Sequence, residues 1–274
     1  MSPNTLPKGE VQFHVLGDLA VTVNGVEVPM PAQKPRKLLS ILLSRAGQSV
    51  PVGILSDILW TEQPKNPRKA MQVYVFRLRH VLGHDRIQQR GQGYALVTHP
   101  DELDVHRFEA LAKQALNAML SSDIKDLARY SAEALDMWRG RPYADLAESA
   151  VADHEISRLE ELRTSLLELR IGADIALGNH FETIPELRSL IMLFPFHERF
   201  RTLLMLALYR TGRQGEALEV FQETIELLDR ELGILPGQEM STTHTRILQS
   251  DPFLMSTDAV LECLGEVGLK AAHR

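Results

Sequence analysis

The chain has 274 residues, of which 44% are hydrophobic and 24% are charged, and this composition excludes an intrinsically disordered protein. The single cysteine, Cys263, excludes an internal disulfide, and the sequence shows neither the spacing of a zinc site, nor a signal peptide, nor an apolar run of roughly 18 residues. From these features we expect a cytoplasmic protein without a metal, a cofactor or a membrane contact. The formal net charge is −6.

The charge is unevenly distributed along the chain. Residues 1–100 contain 12 basic and 6 acidic side chains, whereas residues 101–274 contain 18 basic and 30 acidic ones. Between residues 31 and 99 there are 11 basic side chains and only 3 acidic ones. A local excess of this size is typical of a surface that neutralises nucleic-acid phosphates, although a solvated basic surface remains the alternative.

The first predicted elements are short strands between Val11 and Pro29. Apolar and polar residues alternate there with a period of two, which is typical of half-buried strands. Asn24-Gly25 tolerates the positive φ angles of a two-residue hairpin turn. The pattern therefore predicts an antiparallel meander.

Two short helices are predicted next. The first begins near Pro35 and can end at Gly47, and the second opens at Ser49 and Pro51 and ends near Trp60. Both have the spacing of a helix with one buried face. The residues expected to face inward are Leu38, Leu39, Leu42, Leu43 and Ala46 in the first helix, and Ile54, Leu55, Ile58 and Leu59 in the second.

A third helix is predicted from Pro67 to Leu82. Asn66 is a favoured N-cap, and Pro67 fits the first turn because its missing N–H is not needed there. At 100° per residue, one side is apolar and the other is cationic with two apolar members. The expected inner residues are Ala70, Met71, Tyr74, Val75, Leu78, Val81 and Leu82, and the expected outer residues are Lys69, Gln72, Val73, Phe76, Arg77, Arg79 and His80.

A β-hairpin follows the basic helix. Strands are predicted at Ile87–Gln89 and Tyr94–Val97, around the glycine-rich tip at residues 90–93. This order of elements predicts a winged helix-turn-helix: strands, then three helices of which the third is basic, then a hairpin. In that fold the third helix enters the major groove of DNA and the hairpin reaches an adjacent groove.

The DNA contacts follow from side-chain chemistry. Cations suit phosphates or guanine edges, glutamine suits adenine, and apolar side chains suit thymine methyl groups. Arg77 and Arg79 could instead pair with carboxylates, Val73 and Phe76 could pack under the hairpin or a neighbouring domain, and Arg90 could be solvated. The residues expected to contact DNA are Lys34, Arg36, Lys37, Arg68, Lys69, Gln72, Val73, Phe76, Arg77, Arg79, His80 and Arg90, of which the first three are expected at the DNA backbone.

Beyond Asp101 the patterns are helical. Five residue pairs match at a spacing of 34 residues, which is the tetratricopeptide period: Leu169/Leu203, Ala173/Ala207, Gly178/Gly212, Ile184/Leu218 and Leu187/Phe221. A weaker copy begins near Ser121, and an insertion around Trp138–Leu146 separates it from the next unit. A plain helical bundle with chance matches is the alternative. The segment after Phe253 contains one possible short amphipathic helix.

No familiar enzyme motif is present. The sequence lacks a P-loop, a dinucleotide-binding glycine pattern, an H-E-x-x-H and a G-x-S-x-G. The adjacent pairs His154-Glu155 and His197-Glu198 do not share a helix face, so we expect surface residues and no catalysis.

These elements define the expected architecture: an α+β N-terminal winged helix-turn-helix followed by an all-α tetratricopeptide-like domain. The expected boundaries are a flexible N-terminus at 1–10, the winged helix at 11–100, the helical domain at 101–250 and a tail at 251–274.

Several motifs carry a family resemblance. In the N-terminal part they are Val15-Leu16-Gly17, residues 34–39, Leu59-Trp60, residues 72–79 and residues 91–94. In the C-terminal part they are residues 104–108, Trp138-Arg139-Gly140, residues 144–146, residues 209–218 and Leu232-Gly233. Together they resemble the Streptomyces antibiotic regulatory proteins over about residues 11–250. That family joins an OmpR-type winged helix to a bacterial transcriptional activation domain.

The resemblance implies an activator of a secondary-metabolite (antibiotic) gene cluster. Such proteins bind promoter direct repeats as side-by-side protomers, so a dimer on DNA is expected, and they recruit RNA polymerase through the sigma factor and other subunits. Carried onto this chain, the recognition helix is Pro67–Leu82 and the wing is Arg86–Val97. The larger members have an NTPase module that this sequence lacks, and no receiver domain is present. The alternative is a tetratricopeptide-type scaffold or ligand sensor with secondary DNA contact.

Overall fold

In a computed structural model of the chain, the structure describes residues 10–30, 32–146 and 150–272, so nearly all of the predicted N-terminal segment lies outside the described residues. Contacts divide the chain into two compact units. One takes the residues up to Ala110 together with Asp136–Glu161, and the other takes Leu111–Leu135 together with the residues from Leu162 onward.

The first unit opens with a three-stranded antiparallel sheet. Strands β1 (Val11–His14), β2 (Ala20–Val23) and β3 (Val26–Glu27) pair in chain order, with Phe13 opposite Val21. The turn between β2 and β3 has φ angles of 51° and 76° at its two central residues, as the Asn-Gly pair favours. The predicted meander is therefore confirmed.

Three helices follow: α1 (Gln33–Leu43), α2 (Val52–Leu59) and α3 (Pro67–Leu82). The apolar stripe of α1 is buried from Leu38 to Leu43. In α2 the expectation for Ile54 is wrong, because its side chain is 46% exposed. The buried face of this eight-residue helix is centred on Leu55 and Leu59, and Ile54 points about 100° away from Leu55.

The wing belongs to a second sheet, in which β6 (Gly93–Leu96) lies between β4 (Val50–Pro51) and β5 (Ile87–Arg90). Strand β4 was not predicted, because two residues show no periodicity. Gly93 is required at the crossing, since a Cβ there would lie 2.2 Å from the carbonyl oxygen of Val50.

The insertion into the helical repeat packs against the first sheet. The amides of Arg139 and Tyr143 donate to the carbonyl oxygens of Leu16 and Val15, both at 2.7 Å. The Asp104 carboxylate accepts the amides of Val15 at 2.9 Å and Leu16 at 3.1 Å. Burial raises the pKa of Asp104, and these amide bonds oppose that shift. The end of β1 is thus held by residues distant in sequence.

The other helices of the described residues follow the wing in the chain. They are α4 (Asp104–Leu120), α5 (Ile124–Leu135), α6 (Ala150–Ala176), α7 (His180–Leu193), α8 (Glu198–Arg210), α9 (Gln214–Leu232), α10 (Gln238–Leu248) and α11 (Thr257–Ala272). Helix α8 packs on α7, α9 and α10, and every residue from Phe200 to Leu208 is buried. Among the described residues, no helix has the combination of length and hydropathy that crossing a membrane requires.

Four helices end in the same turn, which extends the predicted repeat. After α4, α6, α8 and α10, a residue with positive φ is followed by an amide that bonds the carbonyl five residues earlier, as in a Schellman motif. The positive-φ residues are Ser122, Gly178, Gly212 and Ser250. The predicted pair Gly178/Gly212 marks two of these turns, and the weaker copy near Ser121 marks a third.

The expectation of a surface pair is wrong for His197-Glu198. His197 Nε2 is hydrogen-bonded to Glu168, whose side chain is 3% exposed, and Glu198 accepts the amide of Gly237 at 2.6 Å. His154 is exposed as expected. The side chains of His197 and Glu198 therefore bond other parts of the protein.

Residues 252–264 pack within the second unit, here called the helical unit. Helix α11 buries Val260, Cys263 and Leu264, and Leu264 occupies the space beside Gly172 of α6, where a Cβ would lie 2.6 Å from Leu264 Cδ1. Burial raises the pKa of Cys263 to about 12, so this thiol stays protonated at neutral pH.

Candidate nucleic-acid interface

Helix α3 begins as its sequence predicts. Asn66 Oδ1 accepts the amide of Lys69 at 3.0 Å, and Pro67 occupies the first helical position. The cap fixes the start of the helix, and therefore which side chains share a face.

The inner and outer faces of α3 also follow the predicted pattern, except at Arg79, which is half-buried. Met71, Val75, Leu78 and Leu82 are buried and attach the helix to α1 and α2. The exposed residues of the outer face are Arg68, Lys69, Gln72, Val73, Phe76, Arg77 and His80.

The apolar members of the outer face are open to solvent. Phe76 is 71% exposed and Val73 is 42% exposed, so neither is buried beneath the wing. Large exposed apolar side chains within a polar face are typical of an interaction site. They stand beside Gln72 and Arg77, which can hydrogen-bond.

Two arginines of α3 have different surroundings. Arg79 Nε and Nη2 donate to the carbonyl oxygen of Ile87 at 2.9 and 2.6 Å, so its guanidinium ties α3 to the start of β5. Arg77 is exposed, and it takes part in none of the ion pairs found among the described residues. The two side chains thus differ in their freedom to reach a ligand.

The wing is anchored at both ends. At its base, Arg86 forms a bidentate pair with Glu102 at 2.5 and 2.7 Å. Burial alone would raise the pKa of Glu102, but the hydrogen bonds from Arg86 and the His99 amide hold it below the usual value. At the tip, Arg90 is exposed and donates to the Gly47 carbonyl at 3.1 Å and to Gln88.

The cations at the start of α1 have partners within the first unit. Lys34 Nζ donates to the Leu59 carbonyl at 2.8 Å, and Arg36 Nε pairs with Asp145 Oδ1 at 2.8 Å. Lys37 is half-buried. Lys34 and Arg36 therefore have structural bonds that a DNA contact would have to replace or share.

Sequence reasoning missed one cation, Lys65. A cleft of about 490 Å³ brings together the starts of α2 and α3 and the tip of the wing, and its lining includes Gly53, Lys65, Arg68 and Gln92. The sequence pattern could have indicated Lys65, because every charged residue between Gln63 and His84 is basic.

This arrangement suits duplex DNA. An α-helix fits the major groove, arginine and glutamine can bond guanine and adenine edges, and Phe76 and Val73 can contact thymine methyl groups. The surrounding cations can neutralise phosphates. Within the described ranges, no group of three or more His, Cys, Asp and Glu side chains is placed to hold a metal ion.

Comparison with known proteins gives the class of the molecule. Residues 29–96 match the family model "Transcriptional regulatory protein, C terminal", and residues 103–248 match "Bacterial transcriptional activator domain". The chain is similar to the regulatory protein DnrI of Streptomyces peucetius, with 34% identity over 88% of this chain and 93% of DnrI. It is also 38% identical to the regulatory protein AfsR of Streptomyces coelicolor over 92% of this chain, but it spans only 25% of AfsR.

A solved structure has the same architecture. Mycobacterium tuberculosis EmbR, in complex with a low-affinity phosphopeptide, superposes with a TM-score of 0.84 over 97% of this chain and 70% of that chain, at 27% identity. The fold and these matches define a winged-helix transcriptional regulator. The chain belongs to the Streptomyces antibiotic regulatory protein family and is a transcriptional activator of that type.

Proposed function

We propose that this protein activates a secondary-metabolite (antibiotic) gene cluster by binding promoter direct repeats in a sequence-specific manner. The observation that carries the proposal is the exposed outer face of α3, on which Gln72, Val73, Phe76 and Arg77 lie among cations. Gln72, Arg77 and the two apolar residues read bases, and Arg68, Lys69 and His80 contact phosphates or base edges.

The remaining predicted residues take supporting roles. Arg90 contacts DNA from the wing. Near the DNA backbone lie Lys34, Arg36 and Lys37. Arg79 acts mainly by holding the wing against α3. Two protomers bind side by side, and the helical unit recruits RNA polymerase through its sigma factor and other subunits. The protein acts by binding and catalyses no reaction.

The base-reading role of Arg77 can be tested by mobility shift at fixed salt, with promoter fragments from genes adjacent to its own. Arg77→Ala should weaken binding by roughly 1–3 kcal/mol, about 5- to 150-fold, because a bidentate base contact is lost. The matched control is Arg230→Ala, which removes an exposed helical arginine already paired with Glu231. Equal affinity of the Arg77 variant and the wild type would reject that role.

A further inference from the structure

One end of the helical unit carries a group of exposed apolar side chains, here called the apolar rim. They lie at the end of α7, in the loop before α8, at the end of α9 and in the loop before α10. The members and their exposures are Met192 (84%), Leu193 (72%), Phe196 (48%), Leu232 (51%), Ile234 (49%) and Leu235 (76%).

The two loops belong to the same end of the helix array. Helices α7 to α10 are joined by short connections, so successive helices run in opposite directions, and alternate connections fall at the same end. Helix α8 packs on α7, α9 and α10. The bond from the Gly237 amide to Glu198 Oε2, at 2.6 Å, joins the starts of α8 and α10 directly.

The exposure of the rim is built into the fold. The Phe194 and His197 rings pack on Phe200, with ring centroids 5.9 and 4.6 Å away. Arg201 Nε donates to the Pro195 carbonyl at 3.2 Å. These contacts hold the loop while Phe196 stays in solvent.

An acidic stripe leads along α9 to the rim. Its members, Glu219, Glu223, Glu226 and Asp229, are exposed and spaced by three or four residues, so they share one face. Of the nearby cations, Arg230 pairs with Glu231, and the buried Arg201 interacts electrostatically with Glu223. The sequence contains no lysine between Asp126 and Leu269, so ammonium groups do not offset these carboxylates.

We propose that the apolar rim and the acidic stripe form a docking surface for a basic amphipathic helix of a protein partner. The apolar side of such a helix covers the rim, and its lysines or arginines face the stripe. A second copy of this chain fits less well, because two rims packed together would bring two acidic stripes towards each other. The same charge disfavours nucleic acids. The proposal goes beyond DNA binding and does not rest on it.

The test uses the full chain and a labelled amphipathic peptide of about 18 leucine and lysine residues, followed by fluorescence anisotropy. We expect one peptide per chain and at least about tenfold weaker binding to the double variant Leu193→Ser/Leu235→Ser. Glu226→Gln/Asp229→Asn should weaken binding and reduce its salt dependence. The matched control is Phe181→Ser, which removes a side chain 70% exposed at the opposite end of α7 and should change binding less than twofold.

Circular dichroism establishes that each variant is folded, and sedimentation reports self-association. Equal peptide binding by the rim variant and the wild type would overturn the proposal, as would equal binding of a peptide with glutamate in place of lysine. A wild-type dimer that the rim substitutions convert to monomer would identify a second copy as the occupant and would also overturn it. DNA binding, measured in parallel, should be the same for the rim variant and the wild type.

Discussion

The two units each expose a large apolar side chain on a helix, yet in opposite electrostatic settings. Phe76 on α3 is 71% exposed and Leu193 on α7 is 72% exposed. Phe76 lies in a segment whose charged residues are all basic, whereas the rim that includes Leu193 is bordered by carboxylates. A group of neighbouring exposed apolar side chains marks an interface, and the charge around it distinguishes a nucleic acid from a basic protein segment.

The two surfaces also differ in how they are supported. The α3 surface belongs to a unit held by bonds between distant parts of the chain, such as Arg36 to Asp145 and Val15 to Asp104. The rim depends on local aromatic packing around Phe200 and on the turn at Gly233, whose φ is 67°. The first surface should therefore be more sensitive to truncation than the second.

The largest expected effect comes from cutting the first unit. A fragment of residues 1–100 lacks Asp104, Arg139 and Tyr143, and so loses four hydrogen bonds to Val15 and Leu16 that a fragment of residues 1–161 keeps. At about 1 kcal/mol per bond, the shorter fragment should be less stable by roughly 4 kcal/mol or more. Urea unfolding followed by circular dichroism measures this, and equal midpoints and slopes would show that the first unit is complete at residue 100.

The second prediction separates the two faces of α3. Leu78→Ala should lower the free energy of unfolding by about 2–5 kcal/mol, because Leu78 is fully buried. Phe76→Ala should change it by less than about 0.5 kcal/mol while weakening DNA binding. Thermal unfolding and mobility shift on both variants test this, and a large stability loss in the Phe76 variant would argue that Phe76 packs within the protein.

The third prediction concerns the two arginines. Arg79→Ala should destabilise the first unit by about 1–2 kcal/mol, because the Ile87 carbonyl loses both guanidinium donors. Arg77→Ala should leave stability within about 0.5 kcal/mol of the wild type. Denaturant titration of both variants is the measurement, and the reverse order would contradict the assignment of roles.

A fourth prediction concerns salt. Lys69→Ala should reduce the slope of log affinity against log salt by about 1, since one phosphate contact is lost. Lys113→Ala, on α4, serves as the control and should leave the slope unchanged. A slope unaffected by the Lys69 substitution would remove this residue from the DNA contact.

The smallest expected effect is the pH response of the wing base. The Glu102 pKa is lowered in the folded state, so ionised Glu102 contributes stability above its ordinary pKa. That contribution disappears as the pH falls through the lowered value. The difference in melting temperature between wild type and Glu102→Gln should therefore shrink from pH 7 to pH 3, and a constant difference would contradict the pairing.

Local signals explain what the sequence could predict. The period of α3, together with Asn66 and Pro67, defines the helix start and hence its exposed face. Gly178 and Gly212, spaced by the repeat, mark two helix ends because glycine adopts positive φ without strain. At Ser122 and Ser250 serine adopts the same conformation, so composition alone did not identify those turns.

Side-chain bonds to other elements explain what the sequence could not predict. The partners of Arg36 and Arg79 are a carboxylate more than one hundred residues away and a backbone carbonyl, and neither leaves a periodic pattern. The apolar rim was missed for a related reason. Leu232 and Leu193 continue helical stripes that look buried, and only the positions of the helix ends expose them.

The central claim is that the outer face of α3 reads a defined DNA sequence. The most direct measurement is quantitative footprinting of the purified full chain on promoters neighbouring its own gene, with the Gln72→Ala variant at the same salt concentration. We predict two protected windows about one helical turn apart on direct repeats, and weaker protection of both by the variant. Uniform or absent protection, or identical footprints for the two proteins, would contradict the claim.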